Sequence, residues 1–223
     1  MVNALDQVPE DFRFALSTLR QARTRSELRL EEIPAPARLA PFAVALGAEV
    51  ISPGRPRPSG AVHGPAAAAL ALASGSDDVE LATGRFILLH DPDGSEIWEG
   101  EFRIVTYIRA QLEAEMGNDE MLGSVAWTWL ADALENQAAP YRSAGGTATR
   151  VLSESFGTLA DRPNSIDIEL RASWTPATPD ITSHLEAWSD MVCTFAGLPP
   201  LPEGVTPLPR WRRGHARNGS PRD

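Results

Sequence analysis

The chain has 223 residues, 43% of them hydrophobic, which is enough for one domain with a sizeable core. Its formal net charge is -10, and all 20 basic residues are arginine because the sequence contains no lysine. The absence of lysine excludes Schiff-base chemistry and the lysine-dependent phosphate binding of P-loop and protein-kinase enzymes, and the negative charge disfavours nucleic acid as a partner of the main body.

The first third of the chain predicts a helix followed by antiparallel strands. Residues Pro9 to Arg23 carry apolar side chains at helical spacing, with acids at the start and arginines at the end. Strands are predicted over Glu27 to Ile33 and over Phe42 to Ile51, where apolar residues alternate. The stretch from Ser52 to Asp78 is rich in Pro, Gly and Ala and has few large apolar residues, so we interpret it as a flexible insertion at about residues 52–78.

The middle of the chain predicts a hairpin and a second helix. The run from Phe86 to Leu89 is apolar on both faces, which is typical of a central strand. The sequence from Asp91 to Gly94 predicts a turn, and Glu96 to Glu99 a short returning strand. Residues Phe102 to Met116 have apolar side chains at helical spacing and are predicted as a helix, although the first half could equally extend a strand.

The second half predicts helix, hairpin and helix. The elements are a helix over Asp119 to Ala138, strands over Thr147 to Phe156 and Ser165 to Trp174, and a last helix over Thr182 to Ala196. A capping box formed by Ser183 and Glu186 is predicted to open the last helix, and Gly197 to end it.

This order of elements predicts an α+β fold in which four main helices pack on an antiparallel sheet built from hairpins. We expect one domain over residues 1–209. The last fourteen residues, 210–223, contain five arginines and one acid, a charge of +4, and are interpreted as a basic disordered tail.

Residue types that carry catalysis or bind metals are sparse. The four histidines are dispersed, and none has the spacing of metal ligands, so neither a metal nor a cofactor is predicted. Cys193 lies in a predicted amphipathic helix, which favours a buried apolar role over a reactive thiol. Ser153 lacks the Gly-x-Ser-x-Gly context of a hydrolase nucleophile, and His90 and Asp91, as neighbours on a strand, point to opposite faces.

Charged residues alternate along the two predicted strands of the second half, with Arg150 and Glu154 on the first and Asp167, Glu169 and Arg171 on the second. One interpretation is a cross-strand ionic ladder on a solvated face. The other is a binding surface in which Arg150 or Arg171 holds a carboxylate or phosphate. The three carboxylates, assisted by an arginine as anion clamp, would also suit acid-base catalysis.

Six segments together resemble a known family: Leu30 to Val44, Leu81 to Asp91, Trp98 to Glu113, Ala126 to Leu134, Gly145 to Asp161 and Glu169 to Pro176. They resemble the actinobacterial family known as domain of unknown function number three thousand. The resemblance spans Phe12 to Pro209 except for the insertion. It implies a cytoplasmic protein, and because the family has no assigned activity, cofactor or catalytic residues, it assigns no site residue here.

The leading functional hypothesis is a cytoplasmic, non-enzymatic interaction or regulatory protein that binds a protein partner or a second copy of itself. No signal peptide or membrane span is recognisable in the sequence. The alternatives are a small carboxylate-based hydrolase or transferase, and an accessory factor in RNA metabolism. The hypothesis of a role in RNA metabolism follows from the resemblance, since the family's genes tend to lie beside one for a ribonuclease D type exonuclease. In that role, RNA would contact the basic tail.

Overall fold

The computed structural model describes residues 8–52, 79–112, 119–162 and 164–198. The structure of these residues confirms the predicted α+β class with an antiparallel sheet. Most of the predicted insertion and the whole of the predicted tail lie outside the described residues. The elements in chain order are α1 Glu10–Leu19, β1 Leu28–Ile33, β2 Phe42–Ser52, β3 Val79–Ser95, β4 Gly100–Leu112, α2 Leu122–Asn136, β5 Tyr141–Ser153, β6 Ser165–Pro176 and α3 Thr182–Phe195.

The six strands form one sheet in the order β1-β2-β3-β4-β6-β5, and every neighbouring pair is antiparallel. The first four strands follow one another as a meander. After β4 the chain passes through α2 to the far edge, forms β5, and returns as β6 between β4 and β5. The β5-β6 hairpin therefore lies beside the β3-β4 hairpin in one continuous sheet.

Helix α3 lies across the middle of one sheet face. Trp188 packs edge-on against Phe86 of β3, with ring centroids 5.5 Å apart. Its indole Nε1–H donates to the Thr106 hydroxyl oxygen at 2.6 Å, and that hydroxyl donates to the Arg85 carbonyl at 2.9 Å. Packing and hydrogen bonds together therefore hold α3 against β3 and β4.

The other two helices pack on the same face. Phe12 of α1 contacts Phe42 and His90, with ring centroids 5.8 and 5.7 Å apart. Trp129 of α2 lies 5.3 Å from Phe195 of α3. The strand residues that point toward the helices form the core of the molecule and are almost fully buried, among them Phe86, Leu88, Ile104, Ile108, Ile168, Leu170 and Trp174.

None of the described helices packs on the opposite face, which we call the open face. Because successive side chains of a strand point to opposite sides, the open face consists of the residues that alternate with the core. β3 is a central strand, as its apolar run predicted, and Ile87 on its open side is half-buried. Charged and aromatic members of the open face include Arg29, Glu31, Glu49, Arg85, Arg103, Tyr107, Arg109, Asp167, Glu169 and Arg171.

The prediction of a helix over Phe102 to Met116 is wrong, and the described residues contain three α-helices instead of four. Residues 102–112 belong to strand β4, and residues 113–116 lie outside the described part. Phe102, Ile104, Thr106 and Ile108 are buried, while Arg103, Val105 and Tyr107, which alternate with them, are not. Helical spacing was matched by chance because apolar residues on both faces of the strand, such as Val105, entered the count.

The predicted turn at Asp91 to Gly94 is also displaced. β3 continues to Ser95, and the hairpin reverses over residues 96–99 before β4 begins. The Asp93 N–H donates to the Asp91 carboxylate at 3.2 Å, and the ladder between the strands is interrupted between His90 and Ser95. The turn-forming residues therefore produce an irregularity in the strand, and no returning strand forms over residues 96–99.

Helix α3 ends where predicted but is not capped as predicted. Its first N–H, from Thr182, donates to the Asp180 carboxylate at 3.0 Å. The Glu186 carboxylate accepts the Arg23 N–H at 2.7 Å, so it ties the segment after α1 to α3 and does not close a capping box. Gly197 ends the helix with a φ of +75°, the left-handed conformation that glycine adopts at low cost.

In the described residues, no helix is both long enough and apolar enough to cross a membrane.

Candidate binding site on the open face

A trough crosses the open face at right angles to the strands. The strand register places Ala45, Ile87, Val105, Ser173 and Gly145 opposite one another, so that a row of small or apolar residues runs from β2 to β5. Larger side chains stand in the neighbouring rows. The resulting concavity, centred on β3, β4, β6 and β5, has a volume of about 710 Å³, within the range usual for small-molecule sites.

One wall of the trough is an aromatic side chain between two arginines. Register places Tyr107 of β4 between Arg85 of β3 and Arg171 of β6. The Arg171 guanidinium carbon lies 5.2 Å from the Tyr107 ring centroid, a cation-π contact. Burial, and then the neighbouring Glu169 carboxylate, raise the pKa of Tyr107, so its hydroxyl stays protonated near neutral pH.

Arg85 differs from its neighbours in that its side chain has no partner among the described residues. Its side chain is exposed, and its guanidinium forms no hydrogen bond or ion pair with any described residue. Arg85 also borders a second concavity of about 260 Å³, over β1 and β2, which contains Arg29, Glu31 and Glu49. It thus stands on the ridge between a mixed-charge concavity and the trough.

The opposite wall is held by Arg103. Its guanidinium donates to the Ser143 carbonyl at 2.8 Å, to the Thr175 hydroxyl oxygen at 3.0 Å and to the Ser173 hydroxyl oxygen at 2.7 Å. Burial lowers the pKa of Arg103, and the charge of Glu99 opposes that effect. Because the Ser173 oxygen accepts from Arg103, its own O–H proton remains available as a donor toward the trough.

Three of the five residues singled out in the sequence share the open face. The Asp167 carboxylate accepts a hydrogen bond from Arg109 Nη2 at 2.8 Å, and Glu169 accepts one from Arg171 Nη2 at 2.8 Å. The first ion pair joins β4 to β6 and the second lies within β6, so neither connects the two strands that the ladder interpretation named. The same Arg171 also lines the trough.

The other two residues lie elsewhere. Arg150 pairs in register with the buried Ile168, so it points to the helix side of the sheet, where its Nη1 donates to the Asp119 carbonyl at 2.9 Å. Glu154 follows the end of β5 and is exposed. Among the described residues, Arg150 and Glu154 are therefore not assembled with the trough.

Sequence reasoning missed Arg85, Tyr107 and Ser173. Tyr107 was hidden by the helical interpretation of β4. The alternation that would have revealed Tyr107 is present in residues 102–110. Every second residue from Phe102 to Ala110 is buried, and the residues between them are Arg103, Val105, Tyr107 and Arg109. Arg85 had no sequence signal of its own, because its lack of a partner depends on which strands lie beside β3.

Buried titratable groups on the helix side serve packing. Burial raises the pKa of the Cys193 thiol to about 12, which keeps it protonated and unreactive. Burial lowers the pKa of His184 to about 4, and its Nδ1 accepts the Trp174 indole N–H at 3.1 Å. Burial also lowers the pKa of His90, which stacks against Phe102 with centroids 4.3 Å apart.

The described residues contain no group of three or more His, Cys, Asp or Glu side chains placed to hold a metal ion. No curated protein and no solved structure matches the chain significantly. A family model does match, over residues 8–206, which is most of the chain. The protein therefore belongs to the family described as Protein of unknown function (DUF3000).

Proposed function

We propose that this is a non-enzymatic binding protein whose binding surface is the open face, with the trough at its centre. The observation that carries the proposal is the trough itself. It is a concavity of about 710 Å³ with Ile87 and Val105 in its floor and the two arginines Arg85 and Arg171 in its wall, on a face that no described helix covers. Concave, partly apolar surfaces with a few polar groups are typical of binding sites.

The arrangement of the carboxylates favours binding over catalysis. None of the eleven residues that line the trough is aspartate or glutamate. Glu169 and Asp167 lie one and two rows beyond Arg171 in the register, and each accepts a hydrogen bond from an arginine. An acid-base pair for hydrolysis or group transfer needs carboxyl groups within reach of the bound substrate.

The accessory role in RNA metabolism rests on residues 210–223, outside the described part, and stays a separate hypothesis.

The test is native mass spectrometry of the protein purified gently from the cells that produce it. Val105→Trp fills the floor of the trough, and Val125→Trp, on helix α2 at 36% exposure, is the matched control away from it. We expect a bound ligand or partner mass on the wild type and on Val125→Trp that is missing from Val105→Trp. Circular dichroism and urea unfolding show whether each variant is folded.

Two outcomes would contradict the proposal. A wild-type protein that carries neither a small ligand nor a partner chain would remove its basis. A bound mass that persists in a folded Val105→Trp variant would place the binding surface elsewhere.

A further inference from the structure

We propose that the trough binds a small amphiphilic anion, with the apolar body of the ligand along Ile87 and Val105 and its carboxylate or phosphate group held by Arg85 and Arg171. This inference rests on the proposed function and names the class of ligand for the same site. It follows from the charge, the donors and the apolar floor of the trough.

The charge of the trough is opposite to that of the chain. The whole protein has a formal net charge of -10, yet the trough lining contains two arginines and no carboxylate. Glu169 lies outside the lining and pairs with Arg171 at 2.8 Å, so the positive charge that is not compensated belongs to Arg85. The second concavity on the same face contains two glutamates together with its two arginines. A concave surface lined by one sign of charge concentrates the opposite ion, so the trough favours an anion and the second concavity has no such preference.

The polar groups at the trough can act as donors. Arg85 has all its guanidinium N–H groups free of described partners, and Arg171 uses Nη2 for Glu169 and keeps other N–H groups. The two residues lie two strands apart, about 10 Å between backbones, so their long side chains can converge above Tyr107. From the floor row, Ser173 offers its hydroxyl proton. Carboxylate and phosphate oxygens accept from this set in bidentate fashion.

The floor requires an apolar part of the ligand. Ile87 and Val105 are half-buried and lie side by side in the register. The trough extends over β3, β4, β6 and β5, roughly 14 Å at the usual strand spacing, and it opens at the β5 edge, where Gly145 has no side chain. A simple inorganic anion would leave this floor exposed to water, and a neutral lipid would leave the Arg85 guanidinium without a described partner.

The experiment measures the affinity of three matched probes by calorimetry, below their micellar concentrations: decanoate, decyl phosphate and decanol. They share one alkyl chain and differ in the head group. We expect decanoate or decyl phosphate, whichever head group the site prefers, to bind about tenfold or more tightly than decanol. The ratio of the first two separates carboxylate from phosphate recognition.

The variants are Arg85→Gln and Arg171→Gln, with Arg29→Gln as the control. Arg29 is on the same face but lines only the second concavity. We expect each of the first two to weaken the anionic probe by about tenfold or more and to leave decanol unchanged, while Arg29→Gln binds like the wild type. Arg85→Gln removes no described contact of the guanidinium, so its fold is expected to be intact.

The inference is overturned if decanol binds as tightly as both anions, if no probe binds, or if Arg85→Gln binds the anion like the wild type. Failure of the inference is separable from failure of the proposed function. If Val105→Trp removes the native bound mass while Arg85→Gln has no effect on any probe, the trough is a binding site for another class of ligand.

Discussion

The two faces of the sheet are made by the same six strands and differ in what their side chains contact. On the helix face, Trp174 and Trp188 are almost fully buried, and each indole N–H has a single buried acceptor, His184 Nδ1 or the Thr106 hydroxyl. On the open face, Arg85, Arg109 and Arg171 are exposed, as the alternation of their strands requires.

The helix face therefore contributes most of the folding stability, and the open face is available for ligand recognition. Burial of apolar area contributes most of the free energy of folding, and that area lies between the helices and the sheet. The ion pairs of the open face, such as Arg109 with Asp167, contribute about 1 kcal/mol or less because the arginine is half-exposed. Exposed residues of the open face can therefore vary with the ligand at little cost to the fold.

The largest expected effect is on the helix face. Trp188→Ala removes a buried indole that packs on Phe86 and donates to Thr106, and we expect it to lower the free energy of unfolding by about 3–5 kcal/mol. Tyr107→Ala on the open face is the control, with an expected loss of about 1 kcal/mol. Urea denaturation followed by circular dichroism measures both, and equal losses would remove the distinction between the faces.

The second expected effect, also on the helix face, is a dependence of the free energy of unfolding on pH. The pKa of His184 is about 4 in the folded protein and about 6.5 in an unfolded chain. Because the unfolded state binds the proton more tightly, the contribution of neutral His184 is fully present above pH 6.5 and is lost as the pH falls through 4. The expected loss is on the order of 3 kcal/mol.

Urea denaturation at a series of pH values between 7.5 and 4 measures this loss, and His184→Gln should flatten the curve. Buried His90 adds to the loss in the same direction, so the variant should retain part of the slope. An unchanged slope in His184→Gln would show that this histidine is not the group responsible.

The smallest effect compares two adjacent glycines of β5. A Cβ on Gly146 would point to the helix side and lie 2.5 Å from the Arg171 carbonyl oxygen and 3.0 Å from Trp127, whereas a Cβ on Gly145 would meet nothing within 4 Å. We expect Gly146→Ala to cost about 1–3 kcal/mol, and Gly145→Ala to change the free energy of unfolding by about 0.5 kcal/mol or less. Thermal unfolding of both variants tests the pair. A larger loss of stability for Gly145→Ala than for Gly146→Ala would show that Gly145, and not Gly146, faces the helices.

The sequence by itself determined the class of the fold and the sidedness of β2 and β6. Alternation in β6 placed Asp167, Glu169 and Arg171 together on one face, and helical spacing located α1, α2 and α3 close to their observed positions. Periodicity succeeds here because it records which side of an element is buried, a property of neighbouring residues in the chain.

Only the tertiary structure decided which residues meet. The return of β6 between β4 and β5 brings Arg171 beside Tyr107 and, across it, Arg85, although these residues are far apart in the sequence. It also sends Arg150 to the helix side, because its strand pairs with β6 in a register that places it opposite Ile168. Strand order and register depend on long-range packing of the helices against one face, and no local pattern of residues encodes them.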